Sequence, residues 1–65
     1  MSSREIIKLL QSNGWECIRT RGSHHQFRHN DKAGVVTVPH PKKDLPTGTA
    51  RAILRSAGIE MKGKI

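Results

Sequence analysis

The sequence predicts an α+β domain in the order helix, three antiparallel strands, helix, with both helices on one face of the sheet. Three observations carry this prediction: a capped amphipathic stretch near the N-terminus, three short alternating segments joined by glycine-containing turns over 15–38, and a second apolar stripe over 47–58. The 65 residues make a single domain, 1–65, with a core of about 3–59 and a tail, 60–65, that shows no period and is expected to fray. So short a chain is expected to draw only about 3–5 kcal/mol of stability from its core.

Ser2 stands three residues before Glu5, so each side chain can satisfy the other's free backbone N–H, and a helix is expected to start there. Ile6, Ile7, Leu9 and Leu10 fall on one side of a 3.6-residue period, opposite Arg4, Lys8 and Gln11. Asn13-Gly14 supplies the stop.

From Trp15 to Arg21 the residues suit a strand with one wet face. Trp15 and Cys17 are expected to point inward and Glu16, Ile18 and Thr20 outward. That parity is ambiguous, because Ile18 prefers burial and a bulge would change it. Gly22-Ser23 breaks the strand. In the next, Phe27 marks the core side and takes His25 and His29 with it, leaving His24, Gln26 and Arg28 on the open side. Residues 30–34 turn the chain into Val35-Val36-Thr37-Val38. Pro39 and Pro41 end the sheet and begin a fixed, exposed loop at His40. Ala50, Ile53, Leu54 and Ala57 then recur at helical spacing against Arg51 and Arg55, and Gly58 ends that helix.

Twelve Lys and Arg against five Asp and Glu give a net charge of +7, which implies a polyanion or an acidic protein as partner. The only two aromatics of the Phe, Trp and Tyr class, Trp15 and Phe27, are spent in the core, so there is no platform for stacking splayed bases. Nucleic acid is therefore expected to be bound by its backbone, with strong salt dependence and weak sequence readout. Cys17 is the lone cysteine and can close neither an internal disulfide nor a cysteine cage, which suits a reduced, cytoplasmic protein. No run has signal-peptide character or the ~20 apolar residues that span a bilayer, so neither export nor a membrane partner is expected.

His24 follows the Gly22-Ser23 turn, where glycine admits a close backbone approach and the serine hydroxyl can donate to phosphate. Imidazole, with an ordinary pKa near ~6.5, is the side chain suited both to take and to give a proton at neutral pH. Cleavage of RNA by its own 2′-hydroxyl needs that chemistry, together with cations for the charged phosphorane, and no metal. Arg19, Arg21, Arg28, Lys32, Lys42 and Lys43 supply the cations, with a solvated surface role as the alternative for Lys32 and Lys42 in particular. His40, between its two prolines, is a candidate second acid or base, against a structural or phosphate-contact role. His25 and His29 have half of a zinc-finger spacing but no cysteine pair, so they read as packed strand histidines; no metal or cofactor is expected.

Gly14-Trp15, the run from Gly22 to Phe27, Val36-Thr37-Val38-Pro39-His40, the run from Lys43 to Thr49 and the run from Ile53 to Ile59 together resemble the HicA family of toxins, over about 3–59. The resemblance implies a double-stranded-RNA-binding-domain-like fold that degrades mRNA without a metal. It implies that His24, the first histidine after Gly22-Ser23, is catalytic, and that an acidic antitoxin of the HicB type covers the active surface. The residues themselves leave a second reading open, a non-catalytic RNA-binding module in which His24 only touches phosphate. A DNA-binding role ranks last, since the second helix exposes little beyond Arg51 and Arg55.

Overall fold

The computed structural model describes residues 1–59, so the expected tail at 60–65 lies outside the described residues. The elements run α1 (Ser3–Ser12), β1 (Trp15–Arg21), β2 (His24–His29), β3 (Val35–Pro39) and α2 (Thr47–Ser56). The strands form one antiparallel sheet in the order β1-β2-β3. Both helices pack on one face, as the sequence predicts. Among the described residues no helix is long and apolar enough to cross a membrane.

Helix α1 starts where the capping signature puts it. The Ser2 hydroxyl accepts from the Glu5 N–H, and the Glu5 carboxylate accepts from the Ser2 N–H at 2.8 Å. The backbone bond from Ser2, helped by its hydroxyl, holds the exposed Glu5 carboxyl below the ordinary carboxylate pKa. Gly14 ends the helix with φ of +91°, and a Cβ there would lie 2.8 Å from Nε2 of His29. That ring ties the helix end to the sheet: the Asp31 N–H donates to its Nδ1, so Nε2 carries the proton and donates to the Asn13 carbonyl.

The core joins Ile6 and Leu10 of α1, Trp15, Phe27, Val36 and Val38 of the sheet, Leu45 of the connecting loop, and Ala50, Ile53, Leu54 and Ala57 of the second helical segment. Gly58 ends α2, its N–H bonding to Arg55 O and that of Ile59 to Leu54 O. The Lys32 ammonium donates to the Ala57 carbonyl at 3.3 Å, which places a cation at the negative end of the helix dipole. From the sequence, Lys32 is expected among the cations around His24. The structure puts it at the opposite end of the sheet instead, on the turn between β2 and β3.

Strand β1 departs from simple alternation. Cys17 pairs with Phe27 and Arg19 with Gln26, so Ile18 is an extra residue at a β-bulge. Beyond the bulge the faces exchange: Thr20, expected outward, lies opposite His25 on the helix side, while Arg19 and Arg21 turn to the open face. Cys17, expected inward, is exposed on this edge strand. Ile18 is 53% exposed.

The segment after β3 is also less exposed than its prolines suggest. His40 is half-buried and Leu45 buried, because Ser3 fastens the segment to α1. The Ser3 side chain, 1% exposed, accepts from Lys42 N–H at 2.9 Å and lies 2.6 Å from His40 Nδ1 and 3.2 Å from the Lys42 carbonyl. Replacing it leaves a part-buried amide and ring nitrogen without their partner, so Ser3→Ala is expected to cost about 1–2 kcal/mol. Urea denaturation measures this directly; an unchanged midpoint would show the hydroxyl to be dispensable.

Candidate functional site

Directly opposed residues of neighbouring antiparallel strands share a face, so the register alone arranges the open side of the sheet in three cross-strand rows. The first is Glu16, Arg28 and Val35; the second is Arg19, Gln26 and Thr37; the third is Arg21, His24 and Pro39. His24 thus sits in the middle of the last row, exposed, with Arg21 directly beside it on β1. Arg19 lies one row away. The bulge at Ile18 brings both arginines there, since strict alternation from the buried Trp15 would have turned them toward the helices.

Gly22, with φ of +58°, and Ser23 form the two-residue turn that links Arg21 to His24. Positive φ at the first turn position suits glycine and follows the twist of the hairpin. The Ser23 carbonyl accepts the His40 N–H at 2.7 Å, which extends the β2–β3 ladder and fixes the turn against β3. Arg28 shares the face but stands four residues along the strand, about 13 Å from His24.

The sheet separates His24 from His40. Because His24 pairs with Pro39, the next side chain emerges on the helix side, where the His40 ring packs edge-on against His25 with centroids 4.8 Å apart. With Lys42 N–H donating into the Ser3 oxygen, the hydroxyl proton goes to the nearer acceptor, His40 Nδ1. Nε2 is then the ring nitrogen left free. His25 and His29, four residues apart on one strand, turn to different partners, His40 and Trp15 respectively. Among the described residues no three His, Cys, Asp or Glu side chains gather as metal ligands would.

Lys42 and Lys43 belong to none of the three rows. They line an open cavity of about 650 Å³ behind the turn, together with His40, Pro41 and the first residues of α1. The expected set of site residues therefore divides in two: Arg21, Gly22, Ser23, His24 and, farther off, Arg28 on the open face, and His40, Lys42 and Lys43 on the other side. Arg4 and Ser3 join the second group, although neither is expected there from the sequence. One signal was available for Ser3, which precedes Ile6 and Leu10 by three and seven residues and so lies on their buried stripe.

No curated protein matches the chain. A chain of the solved HicA3 and HicB3 toxin-antitoxin complex has the same fold, with a TM-score of 0.77 and 30% identity, covering 95% of this chain and 100% of that one. The family model for the HicA toxin of bacterial toxin-antitoxin matches residues 3–59. A match over that span, on a fold of the same order, leads to one conclusion: the chain belongs to the HicA toxin family.

Proposed function

We propose that this toxin is a metal-independent endoribonuclease that cleaves mRNA in the cytoplasm, with His24 as its general acid and base. The observation that carries the reading is the exposed imidazole beside Arg21 on the glycine turn, reachable by a strand of RNA laid across the open face. In its neutral form His24 takes the proton of a ribose 2′-hydroxyl, the 2′-oxygen bonds to phosphorus, and the bond from phosphorus to the 5′-oxygen breaks. Arg21 and Arg19 stabilise the dianionic phosphorane, and the leaving oxygen takes a proton from the imidazolium or from water. Gly22 and Ser23 approach the same phosphate, the serine as a donor. Arg28 is far enough along the strand to meet a different one.

An acidic antitoxin of the HicB type is the proposed protein partner. The net charge of +7 and the likeness to a chain of a HicA3 and HicB3 complex support it. Complementary charge on such a partner speeds encounter and covers the face that RNA would otherwise use.

The experiment is cleavage of a defined single-stranded RNA by the purified toxin in excess EDTA, with analysis of the product ends. Cleavage is expected to persist and to leave 2′,3′-cyclic phosphates, the mark of attack by the RNA's own hydroxyl. Loss of activity in EDTA would point to metal chemistry, and RNA bound without being cut would point to a binding module.

A further inference from the structure

The cavity behind the turn lies on the far side of the sheet from His24, and His40 in its lining bonds through its N–H to the carbonyl of Ser23, the residue before His24. Its charged lining is entirely cationic: Arg4 from α1, and Lys42 and Lys43 from the loop after β3. Two carboxylates lie close in sequence, and both are engaged elsewhere. Glu5 closes the capping box with Ser2, and Asp44 meets the Met1 ammonium at 3.2 Å. Among the described residues none of the three cations has a carboxylate within ion-pair distance.

The walls are fixed as well as charged. The buried Ser3 hydroxyl holds both His40 and the Lys42 backbone, so the loop cannot swing away from α1 without breaking three contacts. The end of the helix contributes little by itself, because the N–H groups of Ser2, Ser3 and Glu5 are already bonded to Glu5, to the Lys42 carbonyl and to Ser2. What remains is an open concave surface with a fixed floor at Ser3 and His40, rimmed by three exposed cations and with no anion of its own.

We infer that this cavity binds a second phosphodiester of the RNA strand whose scissile phosphate lies at His24, with Arg4, Lys42 and Lys43 as its cations. The inference rests on the ribonuclease reading for the position of the first phosphate. A strand that passes over the Gly22-Ser23 turn runs from one site to the other around the end of the sheet. Guanidinium and ammonium groups suit a phosphate that offers oxygens in several directions. Arg4 then has a role in substrate binding although it is remote from the reacting atoms.

The test uses the full chain carrying His24→Ala, so that RNA is bound without being consumed, and a fluorescein-labelled single-stranded RNA read by anisotropy across a salt series. Arg4→Gln is compared with Lys8→Gln, which removes the same charge one turn further along α1 and outside the cavity. Arg4→Gln is expected to weaken binding about three- to tenfold and to lower the slope of log affinity against log salt by ~0.7, the value of one lost phosphate contact to a single strand. Lys8→Gln is expected to shift affinity by less than about twofold, the effect of a screened distant charge. The Arg4 side chain makes no hydrogen bond among the described residues, so an unchanged thermal midpoint checks that folding is intact.

Equal losses from the two variants would reduce the cavity to part of a general field and overturn the inference. So would unaltered RNA binding by Arg4→Gln together with weakened binding of an acidic antitoxin, which would make the cavity a protein contact. If RNA binds in an Arg4-dependent way but wild-type toxin does not cut it, the cavity stands and the nuclease reading falls. If RNA is not bound at all, both fall.

Discussion

His24→Ala is expected to lower RNA cleavage by about 10²–10⁴-fold, the usual contribution of one positioned acid or base. The ring is exposed and makes no hydrogen bond to the rest of the chain among the described residues, so its loss leaves the sheet and the flanking arginines in place. Affinity for RNA should therefore change little, and induction of the variant in cells should no longer arrest growth. Single-turnover cleavage of a labelled RNA measures the effect apart from product release. A variant that cut at the wild-type rate would remove His24 from the chemistry. Arg21→Gln, by contrast, should affect both binding and the chemical step, since the proposed role of its guanidinium is to meet ground-state and phosphorane charge alike.

Phe27→Ala is expected to destabilise the fold by about 3–5 kcal/mol through lost burial and the cavity left behind. Phe27 is 1% exposed, lies in the central strand between Cys17 and Val36, and belongs to the core that both helices help to form. Because the whole domain is expected to hold about 3–5 kcal/mol, the variant should be largely unfolded at room temperature. Far-ultraviolet circular dichroism during denaturant titration reads this out. A cooperative transition near the wild-type midpoint would mean that the core closes over the gap more completely than a three-stranded sheet allows.

Much of the architecture is legible in local sequence. The capping box at Ser2 and Glu5, the stop at Asn13-Gly14 and the stripe of Ala50, Ile53, Leu54 and Ala57 are read from neighbours within one or two turns, and each forms as expected. Phe27 fixes the faces of β2 for the same reason: one large apolar residue in a short alternating strand leaves a single sensible register. His24 emerges on the open side as a direct consequence.

What escaped local reading depends on distant partners. Ser3 looks like a second polar residue beside a cap, and its burial is evident only once Lys42, 39 residues later, lies against it. His40 looks exposed between two prolines until α1 and His25 close around it. Lys32 looks like one more cation near the site, whereas the end of α2, a late element, claims it. The faces of β1 are open in the sequence because a bulge costs one residue and leaves no compositional mark. Its presence decides which way Arg19 and Arg21 point.

That same bulge bears on how the free toxin behaves in company. β1 is an outer strand, and an outer strand with an unbroken row of amides and carbonyls invites another copy to add on. The kink at Ile18 spoils the spacing of that row, and Arg19 and Arg21 next to it repel an identical edge. Pairing of one β1 edge with the β1 edge of a second copy is thereby disfavoured.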